Sequence, residues 1–377
     1  MRDAFGPLCT VLSDHVKTVF GNVHGHQSKV IAMFVWGAIQ AKSIVVQAVA
    51  EALLGESEAK CESIERRLRR FLANERVEVK DTWRHLLAGV LPYWKDKKVT
   101  LILDLTPFDE HAQVIYVGLM QQTRVLPLAW KVMPGQEKWE EGQWNIVEAL
   151  FEEIDEYLEA RTCTLLADRG LACLALIRLC QQRGWQYLLR VSKDERVQRW
   201  SYGHWAYWQE VSEIVSQMGQ FWAGTVRLWQ EHAWETQLTA VWEPGNEEAW
   251  FLISSQKAGR KRISEYRWRM RVESTFQEMK SRGWQWESTL VRDRDRLDRM
   301  LLVLFLCFWW LMHLAASCIH NGRRDRYDRH DRRDKGHLRL GRLYLLDIVR
   351  KTPCPAKLRE CLLFRQRGEH WLFSLRF

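Results

Sequence analysis

Tyr266-Arg267-Trp268-Arg269-Met270-Arg271-Val272-Glu273-Ser274-Thr275-Phe276-Gln277-Glu278-Met279-Lys280 is the stretch from which the rest of the chain can be read. Tyr266, Arg269, Glu273 and Lys280 stand at successive offsets of 3, 4 and 7. At about 100° per residue, a single helix brings these four within roughly 60° of one another. One face then carries a hydroxyl, a guanidinium, a carboxylate and an ammonium. A carboxylate between two cations stays ionised at neutral pH. That suits a metal ligand beside phosphate-binding groups. Charge alone favours a plainer reading, a solvated face with ordinary Glu/Lys pairing.

Upstream, two apolar runs end in an acid. Val99-Thr-Leu-Ile-Leu-Asp104 reads as a buried strand, and so does Cys163-Thr-Leu-Leu-Ala-Asp168, which is followed at once by Arg169 and Gly170. Strand-like runs also lie at Gln113–Met120, Arg124–Val132 and Trp185–Val191, with helices at Trp144–Leu158 and Leu171–Gln182. One acid at a strand end is commonly a turn residue or a helix cap. Two in this order, with Glu273 on a later helix, make a different case.

The pattern Y-(2)-R-(3)-E-(6)-K, filled by Tyr266, Arg269, Glu273 and Lys280, resembles the signature of bacterial insertion-sequence transposases of family four. The likeness runs over roughly residues 95 to 320. Asp168-Arg169-Gly170 resembles that family's second catalytic block, and Asp104 its first. The resemblance implies a DDE enzyme, α/β in class, with an RNase H-like catalytic core, a mostly β insertion, and helical N-terminal and C-terminal regions. The expected organisation is a helical DNA-binding domain over 1–95, the first part of the core over 96–192 and the insertion over 193–260. The second part of the core, with the catalytic helix, follows over 261–320. A basic C-terminal helical region over 321–377 makes DNA or dimer contacts.

Charge distribution agrees with a polyanion partner. The net charge is +9, yet residues 320–377 alone hold 16 Lys/Arg against 7 Asp/Glu, and residues 256–300 hold 13 against 7. The basic surface thus begins at the signature stretch and runs to the C-terminus. Nine cysteines include no CxxC pair, as expected for reduced thiols in a cytoplasmic protein. The start of the chain lacks a cationic-then-apolar signal sequence.

In the N-terminal part, Ile64, Leu68, Phe71 and Leu72 form one helical stripe with Arg66, Arg67, Arg69 and Arg70 around it. Such a helix suits phosphate or groove contact; the alternative is a core helix with a basic outer face. Nine tryptophans lie in Trp185–Trp250, where an aromatic is able to stack on a base. Leu301–Ile319 is nearly all apolar and long enough to span a bilayer, but His313 and Ser317 favour burial against the sheet. Gly322–Lys335 alternates arginine with aspartate and reads as a mobile loop.

The function expected from the resemblance is cut-and-paste transposition of an insertion sequence. It consists of metal-dependent cleavage at transposon ends followed by strand transfer into target DNA. Asp104, Asp168 and Glu273 are the expected catalytic and metal-binding residues, holding two Mg²⁺ ions with Mn²⁺ able to substitute. Tyr266, Arg269, Lys280, Arg169, Arg66, Arg67 and Arg70 are the expected DNA contacts. The expected partners are double-stranded DNA, as terminal inverted repeats and target, and a second copy of the chain in a paired-end complex. No membrane is expected, and the expected location is cytoplasmic and nucleoid-associated. The rival readings are an RNase H-like structure-specific nuclease, a transposase-derived DNA-binding repressor, and a protein anchored in a membrane by Leu301–Ile319.

Overall fold

The computed structural model describes residues 7–20, 23–94, 97–121, 124–135, 140, 142–280 and 283–351. Five helices precede the first strand: α1 (Pro7–Val19), α2 (Gly25–Ala41), α3 (Val46–Ala52), α4 (Cys61–Leu72) and α5 (Val79–Val90). Strands β1 (Lys98–Pro107), β2 (Ala112–Gln121) and β3 (Arg124–Pro134) follow, then α6 (Gln143–Leu158), β4 (Thr162–Ala167), α7 (Leu174–Gln182) and β5 (Gln186–Arg190). Six more strands come next: β6 (Arg196–Ser201), β7 (His204–Trp205), β8 (Gln209–Glu210), β9 (Phe221–Leu228), β10 (Trp234–Val241) and β11 (Trp250–Ser254). Helices α8 (Arg260–Tyr266), α9 (Met270–Met279), α10 (Arg294–His320) and α11 (His337–Lys351) complete the described chain.

All eleven strands belong to one mixed sheet of order β3-β2-β1-β4-β5-β11-β10-β9-β6-β7, with β8 beside β6. Strands β1, β4 and β5 run parallel; β2 is antiparallel to β1, and β3, antiparallel to β2, runs in the direction of β1 again. The strand-rich segment after β5 does not stand apart. Its last strand, β11, pairs antiparallel with β5 and continues the same sheet. The central runs of β1 and β4 are buried and nearly all apolar, as parallel strands covered on both faces must be.

The helix at Arg294–His320 is the only one among the described residues long and apolar enough to cross a membrane, and its apolar stretch is almost wholly buried inside the fold. It packs against α2, β3 and α11. Asp293 caps its start, accepting from the Arg296 amide at 2.9 Å. Its polar side chains find partners on both sides. Trp309 Nε1 donates to the Pro127 carbonyl at 2.8 Å, and Arg299 donates to the Leu72 carbonyl at 3.0 Å. Trp130 meets Trp83 and Phe305 edge-on with centroids 4.8 and 4.7 Å away, and Trp83 and Phe305 lie tilted at 6.3 Å. Much of the tryptophan content is therefore core: Trp36, Trp286 and Trp309 are fully buried. Arg342 of α11 donates to the Ile39 and Gln40 carbonyls, tying the last helix to α2.

Two local expectations are revised. Tyr266–Lys280 is not one helix. Between α8 and α9 the amides of Arg269, Met270, Arg271 and Val272 bond to carbonyls three residues back, so the chain tightens into a turn over 267–269. Gly322–Lys335 is also more structured than its charge implied. Arg324 holds the buried Asp328 at 3.0 Å, Arg326 reaches Asp347 at 3.3 Å, and Arg333 reaches Asp325 at 2.5 Å. Asp325, Asp328 and Asp331 each find a guanidinium within the segment, which removes repulsion that favours an open chain. Cys354 and Cys361, with the rest of the tail, lie outside the described residues.

Two predictions follow from the packing around α10. A Cβ at Gly341 would stand 2.0 Å from the Leu311 carbonyl oxygen, so Gly341→Ala forces α11 off α10. Chemical denaturation should show a loss of about 1–3 kcal/mol. Burial raises the Asp298 carboxyl from its ordinary 3.8 to about 6, although it accepts a 2.7 Å hydrogen bond from Trp130. A carboxyl that binds its proton more tightly when folded favours the fold at low pH, and that advantage is lost as pH rises from about 4 to about 6. Asp298→Asn keeps the acceptor for Trp130 and should gain up to about 3 kcal/mol at pH 7, with little gain at pH 4.

Candidate active site

Parallel pairing of β1 with β4 runs from Lys98 opposite Thr162 to Leu103 opposite Ala167. The next residue on each chain segment is an acid, so Asp104 and Asp168 stand side by side. Asp168 directly follows β4, whereas Asp104 lies inside β1, which runs on beside β2 to Pro107 rather than ending at the acid as its apolar run suggested. The same logic applies across β4 and β5, where Ala167 lies opposite Leu189 and the following residue is Arg190.

The third acid arrives on α9, which buries Val272, Thr275, Phe276 and Met279. Thr275 Oγ1 accepts from the Val125 amide at 3.1 Å, and Arg124 grips Glu278 through Nε at 2.8 Å and Nη2 at 2.5 Å. Phe276 meets the ring of Tyr116 at 5.1 Å, and Tyr116 is the cross-strand neighbour of Asp104. These contacts lay the first turn of α9 over the end of β1, with Glu273 on its open side.

Arg269, in the turn before α9, joins the three acids. Its Nη2 is 2.9 Å from Asp104 Oδ1 and 3.4 Å from Asp168 Oδ2, and its Nη1 is 2.6 Å from Glu273 Oε1. The acids differ in depth. The Asp104 side chain is 12% exposed, that of Asp168 32% and that of Glu273 46%. Burial raises the Asp104 carboxyl above the ordinary range, and the Arg269 guanidinium pulls it back. Burial works against the charge of Arg269, but Asp104, Asp168 and Glu273 outweigh it and hold the guanidinium more firmly protonated than usual. Tyr266 is buried, its hydroxyl 3.3 Å from Asp168 Oδ1, and burial with the neighbouring Asp168 charge raises its pKa.

A second charge group stands at the rim. Glu248, in the loop between β10 and β11, receives Arg169 Nη1 at 3.2 Å and Arg190 Nη2 at 2.5 Å. Neither Arg190 nor Glu248 is among the residues singled out by motif or spacing in the sequence. A single cation closing the apolar run of β5 was the available signal for Arg190. Glu248 carried none, because only the β10–β11 pairing brings its loop to this edge.

The other expected contacts lie elsewhere. Lys280 is at the end of α9, 3.6 Å from Glu287 and 5.9 Å from the centre of the Trp286 ring. Arg66 and Arg70 are exposed on α4 and Arg67 is half-buried there; Arg66 pairs with Glu62 at 2.5 Å.

All donors at the acid cluster are carboxylate oxygens, which suits a hard divalent cation. Among the described residues, however, no three Asp, Glu, His or Cys side chains stand ready around an open centre. The Arg269 guanidinium lies between the three acids instead.

Residues 120–310 match the family model described as a transposase DDE domain. The match takes in Asp168 and Glu273 and begins after Asp104, which its register with β4 places beside Asp168. No curated protein matches the chain. With just over half of its length matched, and aspartates from two adjacent strands and a helix-borne glutamate gathered on one guanidinium, the chain belongs to the family of transposases with a DDE domain.

Proposed function

We propose that this transposase cuts at the ends of an insertion sequence and joins them to target DNA, using Asp104, Asp168 and Glu273 as its catalytic acids. The observation that carries the reading is that all three reach a single guanidinium, although they come from two strands and a helix far apart in the chain. The strand order β3-β2-β1-β4-β5, with β1, β4 and β5 parallel, supports an RNase H-like core. Strands β6 to β11 are then the insertion, grafted onto that core through β5. The Y-R-E-K spacing supports membership of insertion-sequence family four.

Asp104, Asp168 and Glu273 would hold the metal, and the graded exposure of their side chains leaves the Glu273 side open to a phosphodiester. Divalent cations held there, two Mg²⁺ or Mn²⁺ in their place, would supply Lewis-acid activation of the attacking water or 3′-hydroxyl and charge stabilisation for the leaving oxygen. Tyr266, hydrogen-bonded to Asp168, fixes the direction of that carboxylate. Arg169 and Arg190 border the cluster and meet the DNA backbone, while Lys280 and the α4 residues Arg66, Arg67 and Arg70 contact phosphates farther away. The working assembly is a homodimer that pairs two transposon ends, acting in the cytoplasm at the nucleoid.

The test uses a labelled duplex containing the DNA that flanks the coding region, with Mg²⁺. Wild type should cleave it and join it to a second duplex. Asp168→Ala and Asp104→Asn should each slow cleavage at least ~100-fold, about 3 kcal/mol of barrier, with gel-shift affinity retained. Full activity in either variant removes that residue from the site, and cleavage without joining makes the protein a nuclease. A second variant probes the rim. Glu248→Gln frees Arg169 and Arg190, so duplex affinity should rise and its dependence on log salt should steepen by about one unit or more. Stability should change by less than about 1 kcal/mol, because the lost pairs are partly exposed.

A further inference from the structure

We infer that Arg269 is a resident cation of the acid site: it holds Asp104, Asp168 and Glu273 together before metal arrives, and must leave them when metal is loaded. This rests on the reading of those acids as the metal site.

Three carboxylates drawn to one place repel one another, and a partly buried setting strengthens the repulsion. A countercharge has to come from somewhere. Arg269 supplies it from within the chain, with both terminal nitrogens engaged and the residue only 6% exposed. A guanidinium suits the task because its planar fork reaches several carboxylates at once.

The same geometry sets up a conflict. Divalent cations take carboxylate oxygens at about 2.0–2.6 Å. The oxygens lie 2.6–3.4 Å from the Arg269 nitrogens, around the space that a shared ion would fill. Guanidinium and metal therefore exclude each other there.

Two features favour an exchange over a fixed plug. Arg269 lies in the turn between α8 and α9, so its side chain can be re-aimed without unwinding either helix. The fit is also incomplete, because the buried Nε has no hydrogen-bond partner. An unmatched buried donor on a charged group raises the energy of the bound arrangement, which lowers the barrier to leaving. The open direction lies along Glu273, the most exposed of the three acids. A DNA phosphate there offers the guanidinium a replacement anion. Metal entry and phosphate engagement are then linked, each favouring the other. Arg269 is in this sense a positioning residue that later becomes a phosphate contact.

The test is Mn²⁺ binding without DNA, read from the paramagnetic resonance of free Mn²⁺, together with thermal melting with and without Mn²⁺. Arg269→Gln should melt lower than wild type when metal-free, bind Mn²⁺ about tenfold or more tightly, and gain more melting temperature from it. Arg269→Lys should fall between, since a point ammonium cannot bridge all three acids. Equal or weaker Mn²⁺ binding by Arg269→Gln overturns the inference, and if that variant does not fold, the same result for Arg269→Lys does so. Asp168→Ala separates the two readings. It should abolish Mn²⁺ binding at the site; unchanged binding would show that the acids are not the metal site, and the proposed function would fail with it.

Discussion

Like charges do not gather without a countercharge, and that constraint governs the centre of this molecule. Asp104, Asp168 and Glu273 are separated by long stretches of chain, yet each lies within 3.4 Å of Arg269. Two come from a parallel register that ends at Leu103 and Ala167, and the third from a helix pinned to β3 by Arg124–Glu278 and Thr275. The apolar sheet fixes where the carboxylates stand. The guanidinium makes their meeting tolerable. Without the first the acids have no common edge, and without the second they repel.

That sheet edge in turn depends on α10. Its apolar surface is buried against α2, β3 and α11. It therefore serves as the shared core of the N-terminal helices and the sheet. A helix apolar all round is stable in water only when covered all round. The N-terminal helices and α11 provide that cover, and Arg299, Trp309 and Arg342 satisfy carbonyls at the seams. The N-terminal helices are thus packed onto the catalytic part of the chain, which ties the placement of α4 to that of the acids.

Local signals in the sequence carried much of this. Period-two and all-apolar runs located β1 to β5 to within a few residues, because strand burial leaves a direct imprint on composition. Asp104 and Asp168 stood out because each closes such a run. What escaped was decided between segments. The break at 267–269 depends on three-residue hydrogen bonds that no spacing rule foresees. The pairing of β11 with β5, which joins the later strands to one sheet, is set by long-range register. Glu248 reaches Arg169 and Arg190 only through that pairing. Residues 322–335 misled for a related reason: composition counts charges, but only their three-dimensional partners decide whether they repel or bind.

The two charge groups at the sheet edge share one logic. In the interior, Arg269 is held by three carboxylates; at the rim, Arg169 and Arg190 are held by Glu248. In both, cations suited to phosphate are already neutralised by acids of the same chain. On the proposed reading, DNA competes with these internal partners, and part of its binding energy goes to separating them. A polyanion that touches several of these cations at once competes well, whereas a lone phosphate does not. A protein arranged in this way keeps its acids paired and its arginines occupied until a duplex spans the site. On the same reading, the basic charge that marks the sequence from residue 256 onward serves to bring the duplex near, and the proposed exchange of partners at the sheet edge governs whether chemistry follows.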